Sequence, residues 1–213
     1  MSPAHGCIRD NLGNLLTFEQ IYDRFFNDVF QHILRRVGQV AIAQDLTATT
    51  FEKVMNSLGR FQWRGVPVNA WVLRIATNQV NTYFRKQKYT PTEDLVFDLP
   101  SRRLSPEEEL VQAERELENH QMFKTLTVCL RQLKPLDQSL IVMRYLEGRT
   151  YQEIGQILKK RTGTLATRTH RALGKLKDLL ERRGLSYERF KESTENPAPA
   201  HHRSGKVQAE FAG

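Results

Sequence analysis

The sequence predicts an all-α chain of two small helical bundles joined by a flexible acidic linker, and three observations predict it. Apolar residues recur at three-four spacing through 18–88 and again through 126–180, the period that turns one side of a helix toward a core. Between these blocks, Thr90-Pro91-Thr92, Leu99-Pro100-Ser101 and Ser105-Pro106 break the period, as a linker does. Charge is partitioned the same way, with 10 basic and 5 acidic residues over 18–90, 4 and 9 over 91–124, and 13 and 5 over 125–183. A length of 213 residues suits two domains, each able to bury its own core.

The first bundle opens with Phe18, Ile21, Tyr22, Phe25, Phe26, Val29, Phe30, Ile33, Leu34 and Val37, an amphipathic helix. A second helix carries Leu46, Thr50, Phe51, Val54, Met55 and Leu58 on one side. A third begins near Pro67, which suits a first helical turn because it lacks an N–H. Its buried stripe is Val68, Trp71, Val72, Ile75, Ala76, Gln79, Val80 and Tyr83, and the bundle ends near Lys88. Residues 89–106 follow as linker, and no core is expected to cross it.

The second bundle covers 107–184. Ser105 is placed to cap a helix from Pro106, with Glu107, Glu108 and Glu109 at its positive end, and Leu110, Leu117, Leu126, Leu130 and Leu133 are anchors further along. Pro135 opens a helix that Gly148 closes. Thr150 and Glu153 have capping-box spacing, the threonine oxygen accepting from the third amide and the glutamate reaching back. Gly155 sits where two helices cross closely. Thr162 is read as the cap of a last helix packed by Leu165, Thr169, Ala172 or Leu173, Leu176 and Leu179 and ending at Gly184. Residues 185–213, with four basic and four acidic residues from 184 onward, read as a disordered tail. No strand pair or internal repeat is apparent.

These features exclude several classes. Cys7 and Cys129 form no Cys-x-x-Cys pair, so neither a disulfide framework nor a zinc site is indicated. The stretch from Met1 to Leu16 lacks the charged start and apolar run of a signal peptide, and no segment approaches 18 apolar residues; a cytoplasmic protein is expected. No Gly-rich phosphate loop, zinc helix or nucleophile elbow occurs. Glu107, Glu108 and Glu109 are consecutive and cannot share a helix face, and His201 and His202 lie in the tail. No enzyme activity, cofactor or metal is expected.

The basic blocks instead point to nucleic acid. A helix, the turn Lys159-Lys160-Arg161 and a second helix make a helix-turn-helix. Opposite its packed side the last helix presents Thr164, Thr167, Arg168, His170, Arg171 and Lys175. Arginine can donate twice to guanine, threonine suits thymine methyls and phosphates, and Lys160 and Arg161 are placed to grip phosphate ahead of the groove. In the first bundle, Arg60, Phe61, Trp63 and Arg64 combine stacking surfaces with charge, as single-strand binding requires. The helix after them ends in Asn81, Tyr83, Phe84, Arg85, Lys86 and Lys88. The bland reading assigns Phe61, Trp71 and Tyr83 to the core.

Motifs in both blocks match one known pattern. Asp45-Leu46, Phe51, Phe61 and Ala70-Trp71 through Arg74, Ile75, Ala76 and Asn78 stand in the first. Leu133, Pro135, Arg144 through Gly148, Tyr151, Glu153-Ile154, Gly163-Thr164, Arg168 and His170-Arg171-Ala172 stand in the second. In this order and spacing the chain resembles a sigma-70 family RNA polymerase sigma factor of the small extracytoplasmic-function (ECF) type. Phe18 to Lys88 is similar to sigma region two and Leu126 to Arg183 to region four, with no region three between. The resemblance implies binding to core RNA polymerase through Asp45, Leu46, Thr49, Thr50 and Met55. It implies that the Phe61 to Pro67 loop and the following helix, with Arg74 and Asn78, hold the minus-ten element, and that 162–175 reads the minus-thirty-five element of promoter DNA. An anti-sigma factor is a further partner it allows. The chain departs from the family at Ala48 and Thr49, where Gln and an acidic residue are usual, at Ala166 and Leu173, where basic residues are common, and at Lys159, a turn position often held by Gly, where a positive φ costs on the order of 1 kcal/mol. Taken without the resemblance, the same helices also fit a stand-alone helix-turn-helix regulator or a helical adaptor.

Overall fold

The computed structural model describes residues 7–9, 14–61, 65–86 and 121–185. Apart from a two-residue antiparallel ladder, β1 (Ile8–Arg9) with β2 (Leu15–Leu16), the regular structure is helical. That ladder corrects the expectation of no strand pair; it seats Ile8 in the core.

α1 (Phe18–Val37) starts at a capping box, Thr17 accepting from the Gln20 N–H while Gln20 accepts from the Thr17 N–H. It ends where Gly38 takes φ 67° and returns its N–H to the Leu34 carbonyl. α2 (Val40–Ser57) runs on through a 3₁₀ turn, Leu58–Arg60, and α3 is Val68–Lys86. Ile21, Val29, Ile33, Phe51, Val54, Val72, Ala76 and Val80 close the three-helix core. α1 carries more apolar surface than this core can cover, so Tyr22 and Phe26 stay 39% and 38% exposed.

α4 is described over 121–131 and contributes Leu126, Cys129 and Leu130 to a second cluster with Ile141, Val142, Ala172, Leu176 and Leu180. The linker, the Ser105 cap, Leu110, Leu117 and the tail lie outside the described residues. α5 (Pro135–Ile141) widens into a π turn over Val142–Leu146, with Glu147 N–H on the Val142 carbonyl and Arg149 N–H on the Met143 carbonyl. Gly148, at φ 68°, ends it. α6 (Tyr151–Leu158) begins at the expected Thr150–Glu153 capping box. α7 (Thr162–Glu181) differs at its start: Arg161 is the cap, without a side-chain bond, and Thr162 is the first helical residue. Gly155 is required, since a Cβ there would lie 2.9 Å from the Lys160 carbonyl oxygen. Lys159 makes the turn at φ 54°, the only positive φ outside glycine among the described residues.

The expectation that no core joins the bundles is overturned. Leu140, Met143, Ile154, Ile157 and Leu165 belong to the same cluster as the first bundle. α3 is therefore buried on two sides, which explains why Leu73 and Thr77, outside the expected stripe, are 2% and 1% exposed.

Polar groups also cross this junction. His32 of α1 is fully buried; its Nδ1 donates to Glu147 Oε1 at 2.6 Å and its Nε2 lies 3.1 Å from Thr77 Oγ1. Arg149 Nε donates to the other Glu147 oxygen at 2.6 Å. Burial pushes the Glu147 carboxyl up, but the charges and hydrogen bonds of His32 and Arg149 together outweigh it and hold the group at about 2. Arg36 Nη2 donates to Asn81 and to the Pro135 carbonyl, with the Phe84 ring beside it, and burial lowers its pKa to about 9. Arg131 donates to the Val37 carbonyl.

Candidate nucleic-acid interface

The first surface lies on α3 and the 3₁₀ turn before it. The Phe61 and Trp71 rings pack 4.6 Å apart at 54°, which fixes a half-buried aromatic wall. A cleft of about 390 Å³ on one side of this wall is lined by Arg60, Arg74, Asn78 and, from the other bundle, Lys159. A second cleft, of about 430 Å³, adds Lys53, Asn56 and Gln79. Arg60 and Asn78 are exposed, as are Arg85 and Lys86 at the end of α3. Trp63 and Arg64 lie outside the described residues.

Two expected members of this surface are turned to other work. Asn81 is half-buried and its Oδ1 accepts from Arg36 at 2.7 Å, because α3 needs a polar group opposite a buried guanidinium. Arg74 donates through Nε to the Ile157 carbonyl at 2.8 Å and through Nη2 to the Gln156 carbonyl at 2.5 Å. Burial lowers its pKa.

The second surface is the outer side of α7. Lys134, Thr164, Thr167, Arg168, Arg171 and Lys175 line an open groove of about 600 Å³. Leu165, Thr169, Ala172 and Leu176, buried on the opposite side, orient them. Lys160 and Arg161 are exposed at the turn before the helix, and His170 is exposed away from the groove. Arg168 is less free than its neighbours, its Nε donating to the nearly buried Asp137 at 2.5 Å.

A third group was expected on α2. Asp45 and Met55 are exposed and Leu46 and Thr49 half-buried. Thr50 is fully buried and its hydroxyl donates to the Leu46 carbonyl, so it cannot meet a partner. Five residues after Asp45, it falls about 140° around the helix. Sequence reasoning missed Tyr22 and Phe26 as surface residues. They pack on Phe51, with ring centroids 4.8 and 6.1 Å away, and leave an aromatic strip on the surface. The signal was present: ten apolar positions on α1 are too wide a stripe for a three-helix core.

Two helical modules, each presenting cationic side chains around a groove and sharing a packed junction, define an all-α protein of the DNA-binding class. Residues 21–90 match the family described as Sigma-70 region 2 and residues 123–176 that described as Sigma-70, region 4, together more than half of the chain. The chain belongs to the sigma-70 family of RNA polymerase sigma factors and is of the ECF type.

Among its relatives is the ECF RNA polymerase sigma factor BldN of Streptomyces coelicolor, 29% identical over 174 residues. That match covers 81% of this chain and 63% of BldN, less than two thirds of that relative's length. RNA polymerase sigma factor YlaC of Bacillus subtilis is 29% identical over 167 residues, covering 76% of this chain and 90% of YlaC. The sigma factor RpoE of Bartonella quintana, solved in complex with the anti-sigma factor NepR, shares the fold. Its TM-score is 0.55 at 18% identity, over 77% of this chain and 96% of that chain. No described helix is long and apolar enough to cross a membrane.

Proposed function

We propose that this chain binds core RNA polymerase in the cytoplasm, directs it to promoters and helps open the DNA there, with no catalysis of its own. The observation that carries the reading is that the two matched regions coincide with the two cationic surfaces, one built around an aromatic wall and one on the second helix of a helix-turn-helix. Each suits a different form of DNA. The α7 groove offers Arg171, Lys175, Thr164 and Thr167 to a duplex major groove, with Lys160 and Arg161 on phosphates. The Phe61–Trp71 clefts, with Arg60 and Asn78, suit unpaired bases of the minus-ten strand, where stacking is worth about 1–3 kcal/mol per base. Binding of the opened strand supplies the energy for melting, so no catalytic residue is needed.

The polymerase would dock on the outer face of α2 at Asp45, Thr49 and Met55, with Leu46 at its margin. Tyr22 and Phe26 extend that face with apolar area that a large partner can cover. An anti-sigma factor, the partner of RpoE in its solved complex, would compete for the same face.

Run-off transcription tests the reading. Core polymerase alone should start without preference on a genomic fragment pool, and added protein should concentrate starts at a shared sequence. Duplex footprints by the protein alone, with no effect on polymerase, would instead make it a stand-alone regulator.

A further inference from the structure

One carboxylate stands in the α7 groove, although a surface for DNA should exclude it. Lys134, Arg168, Arg171 and Lys175 line the groove, and among them lies Asp137, whose negative charge opposes any polyanion that enters. Asp137 belongs to the first turn of α5, and its side chain is only 8% exposed. Its Oδ1 accepts from Arg168 Nε at 2.5 Å, across 31 positions of sequence. A buried carboxylate needs such a partner, yet Arg168 is not drawn in with it, since its side chain stays 40% exposed.

Which nitrogen is held decides what the others can do. A planar guanidinium presents one fork from Nε and a terminal nitrogen and another from the two terminal nitrogens. Asp137 occupies the first through Nε, and among the described residues Arg168 makes no other hydrogen bond. The fork of Nη1 and Nη2 is left for the groove, and it matches the O6 and N7 acceptors on the major-groove edge of guanine. The neighbours are placed differently. Thr167 donates its hydroxyl proton to the Gly163 carbonyl at 3.1 Å, and Arg171 is exposed, with no ion pair among the described residues. The bond to Asp137 removes rotamer freedom from Arg168 before DNA arrives, and a donor organised in advance loses less on binding.

We propose, on the sigma-factor reading of the α7 surface, that Arg168 sets base preference there by taking a guanine of the upstream promoter element, and that Asp137 is its positioning residue, aiming the Nη1 and Nη2 fork at that base. The carboxylate then weakens binding to DNA in general and sharpens the choice among sequences.

Titration of the complex of the full chain with core polymerase onto a promoter found by run-off transcription tests it. Each guanine of the upstream protected patch is replaced in turn by 7-deazaguanine, which lacks the N7 acceptor and pairs as guanine does. At one position the replacement should cost the wild type about tenfold in affinity. Arg168→Ala should abolish that penalty, Asp137→Asn should cut it to about threefold or less, and Arg171→Ala should leave it unchanged. On the substituted promoter, Asp137→Asn should bind at least as tightly as wild type, since a negative charge has left the groove. An Asp137 that only stabilises the fold would weaken binding to both promoters alike and leave the penalty whole. The penalty is a ratio from one preparation, so partial unfolding of a variant cancels from it. An intact penalty in Asp137→Asn or in Arg168→Ala would overturn the proposal. So would the absence of any sensitive guanine while the complex still prefers promoter to scrambled DNA. If the wild-type complex shows no such preference, the sigma-factor reading fails and the proposal with it.

Discussion

The α3 surface and the α7 surface are both cationic and both built on a helix with a well-packed back, yet the chain has committed them differently. On α7 the groove faces solvent; Arg168 is bound to its own chain by Asp137, and the Thr167 hydroxyl donates to the Gly163 carbonyl. On α3, Arg74 is clasped by two carbonyls, Asn81 serves Arg36, and Lys159 from the other bundle enters the cleft. A side chain's suitability for DNA and its availability are therefore separate properties. The first is written in residue type, the second in what the rest of the fold needs from it.

The contrast is most exposed to disproof at the core that the two modules share. Leu165 is fully buried in the cluster that joins α7 to the first bundle, whereas Leu176 is fully buried in the cluster confined to the second. Each change to Ala should cost about 2–5 kcal/mol in urea unfolding. Leu165→Ala should also separate the unfolding of the two bundles, and Leu176→Ala should leave the first bundle's transition where it was. Coincident transitions in Leu165→Ala would mean the shared cluster does not couple them.

A smaller effect is expected on the α7 side. Arg171 is exposed, so Arg171→Ala should weaken promoter binding by about 1–3 kcal/mol with an unchanged melting temperature. Arg168→Ala leaves the Asp137 carboxylate buried without its cation, so it should lower stability by about 1–2 kcal/mol as well. Equal melting temperatures would return Arg168 to the free, base-reading group that residue type alone suggests.

Acid should act on the junction through Glu147. Glu147 is held at about 2, against an ordinary value of 4.5. The unfolded chain therefore binds a proton more readily in this interval, so the stabilisation is fully present above about 4.5 and is lost as pH falls toward 2. Glu147→Gln should flatten that part of the stability profile. An unaltered acid limb would place the sensitivity elsewhere. Last and smallest, Lys159→Gly should relieve the left-handed turn and raise stability by up to about 1 kcal/mol, read as a small rise in melting temperature.

Much of the fold is legible in the amino-acid sequence, and the reasons are local. The Thr150–Glu153 box, the Pro135 start, the tight fit at Gly155 and the turn at Lys159 are all decided within a few residues, so their patterns survive in sequence. What is not legible depends on distant groups. His32 and Glu147 meet across 115 positions, and no spacing rule links them. Thr50 passes for a member of the exposed side of α2 until its helical angle is set against Asp45. Leu73 and Thr77 are buried only because a second bundle packs on α3. The Ser105 cap and Trp63 lie outside the described residues.

Two surfaces of one chain should hold two separate stretches of a promoter while the chain rides on polymerase. Hydroxyl-radical footprinting of the polymerase complex, on a promoter found by run-off transcription, reads both surfaces at once. Two protected patches are expected, of which Arg171→Ala fades only the upstream one and Asn78→Ala only the downstream one. A single patch, or two that fade together in either variant, would contradict the division between α7 and α3.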